Sequence, residues 1–263
     1  EYGPTADVKV RQALYYSFNL NEFVESYYKD EKSGDILANV QYHPYSQLSW
    51  AVDDDFLGKL NKYEFDLEKA ASILDEAGWT VGSSGYREKD GQVLELNIAA
   101  MPDHDILATL IPMWQRDWEE NLKIKLNVAY LEFNTMLDYV IYDSDNNVDK
   151  WSVFFLATSI PTTDPHELYP EFHSKEIGSG KDNTARYRND RVDQLFDEGK
   201  AIFDIEKAKP LYQEIALILN EEVPKIPVYA NTYFDLYNEK LKNFETNSLF
   251  DWVAALEEAY IEE

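Results

Sequence analysis

The sequence contains no cysteine. That excludes a disulfide framework, a thiolate nucleophile and any Cys-based metal site. It is compatible with the outside of a Gram-positive cell and equally with the cytosol, where many domains also lack Cys. No run of about 18 apolar residues occurs, so no segment is expected to cross a membrane as a helix. No secretory signal is present, and the opening Glu1-Tyr2-Gly3-Pro4 reads as a piece cut from a longer polypeptide. Basic residues are scarce: 24 Lys and Arg stand against 50 Asp and Glu, a formal net charge of -26. This argues against a nucleic-acid partner, because a phosphate backbone needs clustered cations, and against adsorption to an anionic membrane surface. The excess acid is either a solubilising surface or a field that steers cationic ligands, and charge alone does not separate the two. G-x-S-x-G, H-E-x-x-H, P-loop and G-x-G-x-x-G motifs are all missing, as are internal repeats and low-complexity tracts.

What is present is a globular chain. Hydrophobic residues make up 44% of the 263, and aromatic residues 14%, a level that a disordered chain does not reach. The length suffices for one large domain or two smaller ones. An apolar stripe at helical spacing runs from Asp7 to Tyr28, with an interruption expected at Asn19 to Asn21. Residues 33 to 58 show no sustained period and read as an ordered loop. Phe65 to Ala77 reads as a helix capped by Asp66 and stopped by Gly78. Gly82 to Gly91 reads as a hairpin tip.

Strand and helix patterns then alternate. Val93 to Ala100 is a strand, Ile106 to Asn121 a helix, and Lys123 to Leu131 a strand with Ile124, Leu126 and Val128 inward. Asn134 to Ile141 is a short helix and Trp151 to Leu156 a buried strand. Asp190 to Ile202 and Ile205 to Glu222 follow as helices, then an extended Pro224 to Tyr229. The order implies an α/β fold with a mostly parallel central sheet flanked by helices.

In such sheets ligands collect at the carboxyl ends of the strands. Three loops qualify: Ala100 to His104, Leu131 to Asn134, and Ala157 to Asp164. The candidate ligand-binding residues are Met101, Asp103, His104, Glu132, Asn134, Thr158, Ser159, Asp164 and Tyr187. Hydroxyls, amides, carboxylates and apolar groups mixed at one edge suit a polar organic ligand. Asp164, ahead of Pro165, is also a natural helix cap, and Asp103 is a candidate cap for the helix after it. His43, His104, His166 and His173 lack the spacing of a zinc motif, so no metal or other cofactor is expected. Adjacent acids such as Glu119-Glu120 do not form a carboxylate pair across a cleft, so catalysis is not expected either. Trp114 and Trp118 are expected in the core.

Several segments together resemble the family 5 solute-binding proteins of ABC importers, the oligopeptide, dipeptide and nickel binders. Val10-Arg11-Gln12-Ala13-Leu14 is similar to that family's V-R-Q-A-L helix. Phe65-Asp66 through Lys69-Ala70 to Glu76-Ala77-Gly78-Trp79 resembles its Y-D-x-x-K-A to E-A-G-W stretch. Trp118 to Leu122 with Ile124, then Leu131-Glu132-Phe133, match a further strand and the residues after it. Asp164-Pro165, Asn183, Arg186-Tyr187 and Asn189 resemble D-P and N-xx-R-Y-x-N, and Pro224 to Tyr229 resembles P-x-I-P-V-Y.

The resemblance implies a periplasmic-binding-protein-like fold of type II, with two lobes that trap a solute. Residues 1–228 would form the second lobe, and 229–263 would return toward a first lobe. It also implies a monomer that delivers oligopeptides to ABC permease transmembrane subunits. The location would be extracytoplasmic, as a surface lipoprotein of a Gram-positive cell or otherwise in the periplasm. An oligosaccharide or metal chelate remains open as ligand, as does a sensor without transport. The chain departs from the family twice. The loop from Ala157 to Thr163 lacks the aspartate by which peptide binders often hold a ligand's amino terminus, and Lys123 replaces a turn glycine.

Overall fold

The apolar stripe after Asp7 breaks at the expected place. Helix α1 (Val8–Tyr16) ends, and Asn19 caps α2 (Leu20–Tyr27) by accepting from the Glu22 amide. Asparagine competes for backbone groups inside a helix and is better used at its start. These elements belong to a computed structural model that describes residues 2–158, 162–232, 236–246 and 252–262.

The stretch from 33 to 58, expected to be irregular, holds β1 (Ala38–Val40) and α3 (Asp54–Lys59). Local pattern could not announce β1, because its partner strand lies far along the chain. Helix α3 depends on Asp53, which accepts from the Phe56 amide, and on the fully buried Phe56 ring. Helix α4 (Leu67–Glu76) matches its reading closely. Asp66 accepts from the Lys69 amide at 2.8 Å, Ala70 and Leu74 are buried, and Gly78 turns the chain at φ 87°. The expected hairpin is a three-stranded antiparallel meander, β2 (Thr80–Val81), β3 (Arg87–Lys89) and β4 (Gln92–Val93).

The βαβ rhythm gives β5 (Glu95–Ala100), α5 (Asp105–Trp114), β6 (Lys125–Tyr130), α6 (Phe133–Leu137) and β7 (Val153–Phe154). The sheet order is β6-β5-β7, and both pairings are parallel. The single long helix expected up to Asn121 changes form after Trp114. The chain widens over Gln115–Asn121, where the Leu122 amide closes on the Asp117 carbonyl. Lys123 then takes φ 60°, the left-handed conformation for which a glycine is suited. Strand β7 is shorter than expected and half-buried, because it pairs on one side only.

Leu96, Ile98 and Ala100 face one side of β5 and, with Leu94 just before it, are fully buried. They belong to a core that includes Phe18, Trp114 and Trp118, whose indoles stack at 5.0 Å. Ala99 faces the other side, toward Met136 and Val140. The inward residues of β6 are less protected: Ile124 is buried, but Leu126 and Val128 are half-buried on this edge strand.

A second apolar cluster gathers α7 (Tyr169–Phe172), α8 (Asp190–Gly199) and α9 (Ile205–Glu222) around Tyr45, Phe56, Phe196 and Tyr212. After α9, β8 (Tyr229–Asn231) pairs antiparallel with β1. The tail holds β9 (Leu241–Lys242), the short α10 (Trp252–Ala255) and β10 (Tyr260–Ile261), with β9 and β10 antiparallel. Apolar side chains stand exposed along it, with Leu236 96% and Ile261 75% accessible.

Candidate functional site

Parallel register places the carboxyl ends of β5, β6 and β7 on one edge. Ala100 stands opposite Tyr130, and Ala99 opposite Phe154. Neighbouring strands lie about 4.8 Å apart, so the three tips span roughly 10 Å. Further contacts draw their loops together. The Leu131 amide donates to the Ala100 carbonyl at 2.8 Å. The His104 ring meets Phe155 edge-on at 6.1 Å. Met101, Leu131, Phe154 and Leu156 pack against the Ala99–Met136–Val140 cluster.

Most of the predicted residues sit on this edge. Met101 and His104 are half-buried, while Asp103, Glu132, Asn134 and Thr158 are exposed. Asp103 is not the cap of α5: His104 occupies that position, its Nδ1 accepting weakly from the Leu107 amide at 3.4 Å. Asp103 instead turns the chain at φ 55°, a conformation that Asp tolerates better than most residues. Asp164 caps as predicted, accepting from the His166 amide at 2.9 Å in a tight turn that begins at Pro165. Ser159 lies outside the described residues.

Tyr187 belongs elsewhere. It is buried against Phe172 in the second cluster and donates to Glu222 at 2.5 Å. Burial, then that carboxylate, push its hydroxyl pKa up. The N-xx-R-Y segment is thus spent on packing: Asn183 accepts from the Tyr187 amide and donates to the Tyr187 and His173 carbonyls.

The edge is acidic and aromatic. Asp103, Asp105 and Glu132 form no ion pair among the described residues. No Lys or Arg occurs in the stretches 100–110, 130–137 or 155–164. Tyr130, 61% exposed, and Phe133 present large aromatic surfaces there. Alternation groups Tyr130 with the inward Leu126 and Val128, so its exposure is not legible in the sequence. Two neighbours adjoin this edge. Tyr27 of α2 has its hydroxyl pKa raised by burial and by the Asp105 carboxylate. Trp50 donates its backbone amide to the Thr163 carbonyl at 3.1 Å, joining the 42–50 loop to the third strand-tip loop.

At the opposite end of the sheet lies an open cleft of about 380 Å³, lined by Trp79, Gln92, Glu95, Asn97 and Trp151 among others. It contains none of the predicted residues. Among the described residues no group of three or more His, Cys, Asp or Glu is placed to hold a metal ion.

The sequence profile of the bacterial extracellular solute-binding proteins, family 5 Middle, matches residues 1–180. The oligopeptide-binding protein AppA of Bacillus subtilis is 27% identical over 243 residues, covering 91% of this chain and 41% of that protein. Heme-binding protein A of Haemophilus influenzae is 26% identical over 245 residues, covering 93% of this chain and 40% of its own length. The chain therefore spans about two fifths of the curated relatives it matches over most of its length. Among solved structures, Bacillus subtilis AppA in complex with a nonapeptide superposes with a TM-score of 0.78 at 22% identity, covering 98% of this chain and 48% of that one. NikZ of Campylobacter jejuni in complex with Ni(L-His) gives 0.76 at 24% identity, covering 97% and 48%.

Proposed function

The chain belongs to the bacterial extracellular solute-binding proteins of family 5, and from that premise we propose that it supplies one wall of an oligopeptide-binding cleft. The observation that carries the reading is the convergence of three strand-tip loops on one open edge, with its exposed carboxylates and rings. Met101, Asp103, His104, Glu132, Asn134, Thr158 and Asp164 form this wall. Tyr187 supports the fold behind it. Extended peptides offer amide groups for the polar side chains and side chains for Tyr130 and Phe133. The strand-tip edge is preferred over the opposite cleft because connections there can vary without disturbing the sheet.

Residues 1–228 act as the second lobe, and 229–263 return to a first lobe carried by the rest of the parent protein. The exposed Leu236, Tyr260 and Ile261 are the surface that lobe would cover. The lobes close over the solute, which is bound and released without chemistry, and the closed form docks as a monomer on an ABC permease. The protein works outside the cytoplasm, anchored as a lipoprotein in a Gram-positive host or free in the periplasm. The nonapeptide held by the Bacillus relative makes oligopeptide the first ligand to try.

The experiment is thermal unfolding and mass spectrometry of the full-length parent with pooled nonapeptides. A raised Tm with every peptide mass unchanged is expected. Cleaved peptide would overturn the binding reading. Stabilisation only by a saccharide or a metal chelate would move the ligand class while keeping the cleft.

A further inference from the structure

The V-R-Q motif on α1 does something its helical pattern does not explain. The Arg11 side chain reaches two parts of the backbone that are distant in sequence. Nη1 donates to the Thr5 and Ala6 carbonyls at 2.8 and 2.9 Å. Nε donates to the Glu222 and Val223 carbonyls at 2.9 and 3.0 Å, and Nη2 to Glu222 at 2.6 Å. The neighbouring Gln12 donates to the Glu221 carbonyl at 2.8 Å. One planar cation therefore holds the segment leading into α1 and the segment leaving α9.

Both segments are turning points. Thr5 and Ala6 lie in a short 3-10 turn just before Asp7 caps α1. Val223 takes the left-handed conformation at φ 49°, costly for a β-branched residue, and redirects the chain toward Pro224 and Pro227. The side chain of Glu222 is fixed separately, accepting from Tyr187 and from Asn189. Beneath the outgoing segment lies a small cavity of about 20 Å³ between Tyr15, Tyr42, Pro224 and Pro227, room for about one water. The outgoing chain is thus held at its start by Arg11, and farther along by the Lys225–Glu171 ion pair at 2.8 Å and by the Tyr15 hydroxyl, which donates to the Pro227 carbonyl at 3.3 Å. Lysine could not copy the arrangement, because its donors radiate from one point while the guanidinium fork serves two directions at once.

We propose that Arg11 is a positioning residue for ligand capture, clasping the incoming and outgoing segments so that they bend as one hinge. This rests on the two-lobed reading above. In that reading both segments lead toward the other lobe, so two unlinked connections would let the lobes twist as well as close. A plain helix C-cap would hold Glu222 and Val223 without gripping Thr5 and Ala6.

The test uses the full-length parent, free of ligand, with one nitroxide on each lobe, together with hydrogen exchange over residues 4–10 and 222–230. In the wild type the two segments should exchange within about threefold of each other, as parts of one opening unit. Arg11→Met should separate their rates by about tenfold and broaden the interlobe distance distribution about twofold, with Arg11→Lys between the two. Wild-type rates differing by more than tenfold would overturn the clasp. So would a folded Arg11→Met protein with the wild-type distance distribution and faster exchange at 222–224 alone. If Arg11→Met does not fold, Arg11→Lys decides by the same criteria, and the wild-type exchange stands by itself. Adding pooled nonapeptides separates the two ideas. Closure with uncoupled segments sinks the clasp only, whereas an interlobe distance indifferent to every solute sinks the two-lobed binding reading.

Discussion

Acid should weaken this fold through His43 before it reaches the carboxylates. The imidazole is 5% exposed, packed edge-on against Phe56 at 5.7 Å and tilted against Tyr45. Its Nδ1 has no hydrogen-bond partner. Burial pushes its pKa from the usual 6.5 down to about 4, and a backbone hydrogen bond offsets only part of this. In the unfolded chain the same group titrates near 6.5. Between pH 6.5 and 4 the unfolded state therefore binds a proton that the folded state refuses, and stability falls as pH falls. The contribution is complete above about pH 6.5 and is lost by about pH 4. At about 1.4 kcal/mol per pH unit, this one group costs about 3 kcal/mol across the window, an upper value. His166, also lowered chiefly by burial, acts in the same direction, so a difference measurement is required. Urea unfolding followed by tryptophan fluorescence at pH 7, 6, 5 and 4 should be run on the wild type and on His43→Leu. The variant should lose 2–3 kcal/mol less (order of magnitude) than the wild type on going from pH 7 to 4. Parallel profiles would refute the reasoning.

Ile98→Ala, which empties the centre of β5 where the residue is fully buried, should cost about 2–5 kcal/mol in urea unfolding. Asp66→Ala removes the cap of α4 and should cost about 1 kcal/mol, whereas Asp66→Asn should cost much less. The acidic strand-tip edge predicts that lysine-rich nonapeptides associate with the parent faster than glutamate-rich ones. Stopped-flow rates should converge as ionic strength rises from 0.01 to 1 M, over which the screening length shrinks from about 30 to about 3 Å; equal rates at low salt would count against steering.

Much of the fold was legible because its signals are local. Asp66, Ala70, Leu74 and Gly78 carry the start, face and stop of α4 within a dozen positions. Leu94, Leu96 and Ile98 alternate as a half-covered strand must, and the succession of strand and helix fixed the parallel pairing. What sequence missed depends on distant partners. Strand β1 exists because β8 pairs with it, and nothing in the local pattern marks the change of helix form over Gln115–Asn121. The site was legible as an edge, since strand tips follow from topology. Its composition was less so. Tyr130 has the parity of a buried residue and is exposed, Tyr187 looked available and is committed to Glu222, and Trp50 reaches the edge through a backbone bond to Thr163 that no spacing rule reveals.

The most direct test of the cleft wall is photolabelling of the full-length parent by nonapeptides carrying a benzophenone side chain, followed by proteolytic mapping. Label is predicted on residues 101–105, 130–134 and 157–164. Label concentrated instead around Trp79, Gln92 and Trp151, at the opposite end of the sheet, would contradict the assignment.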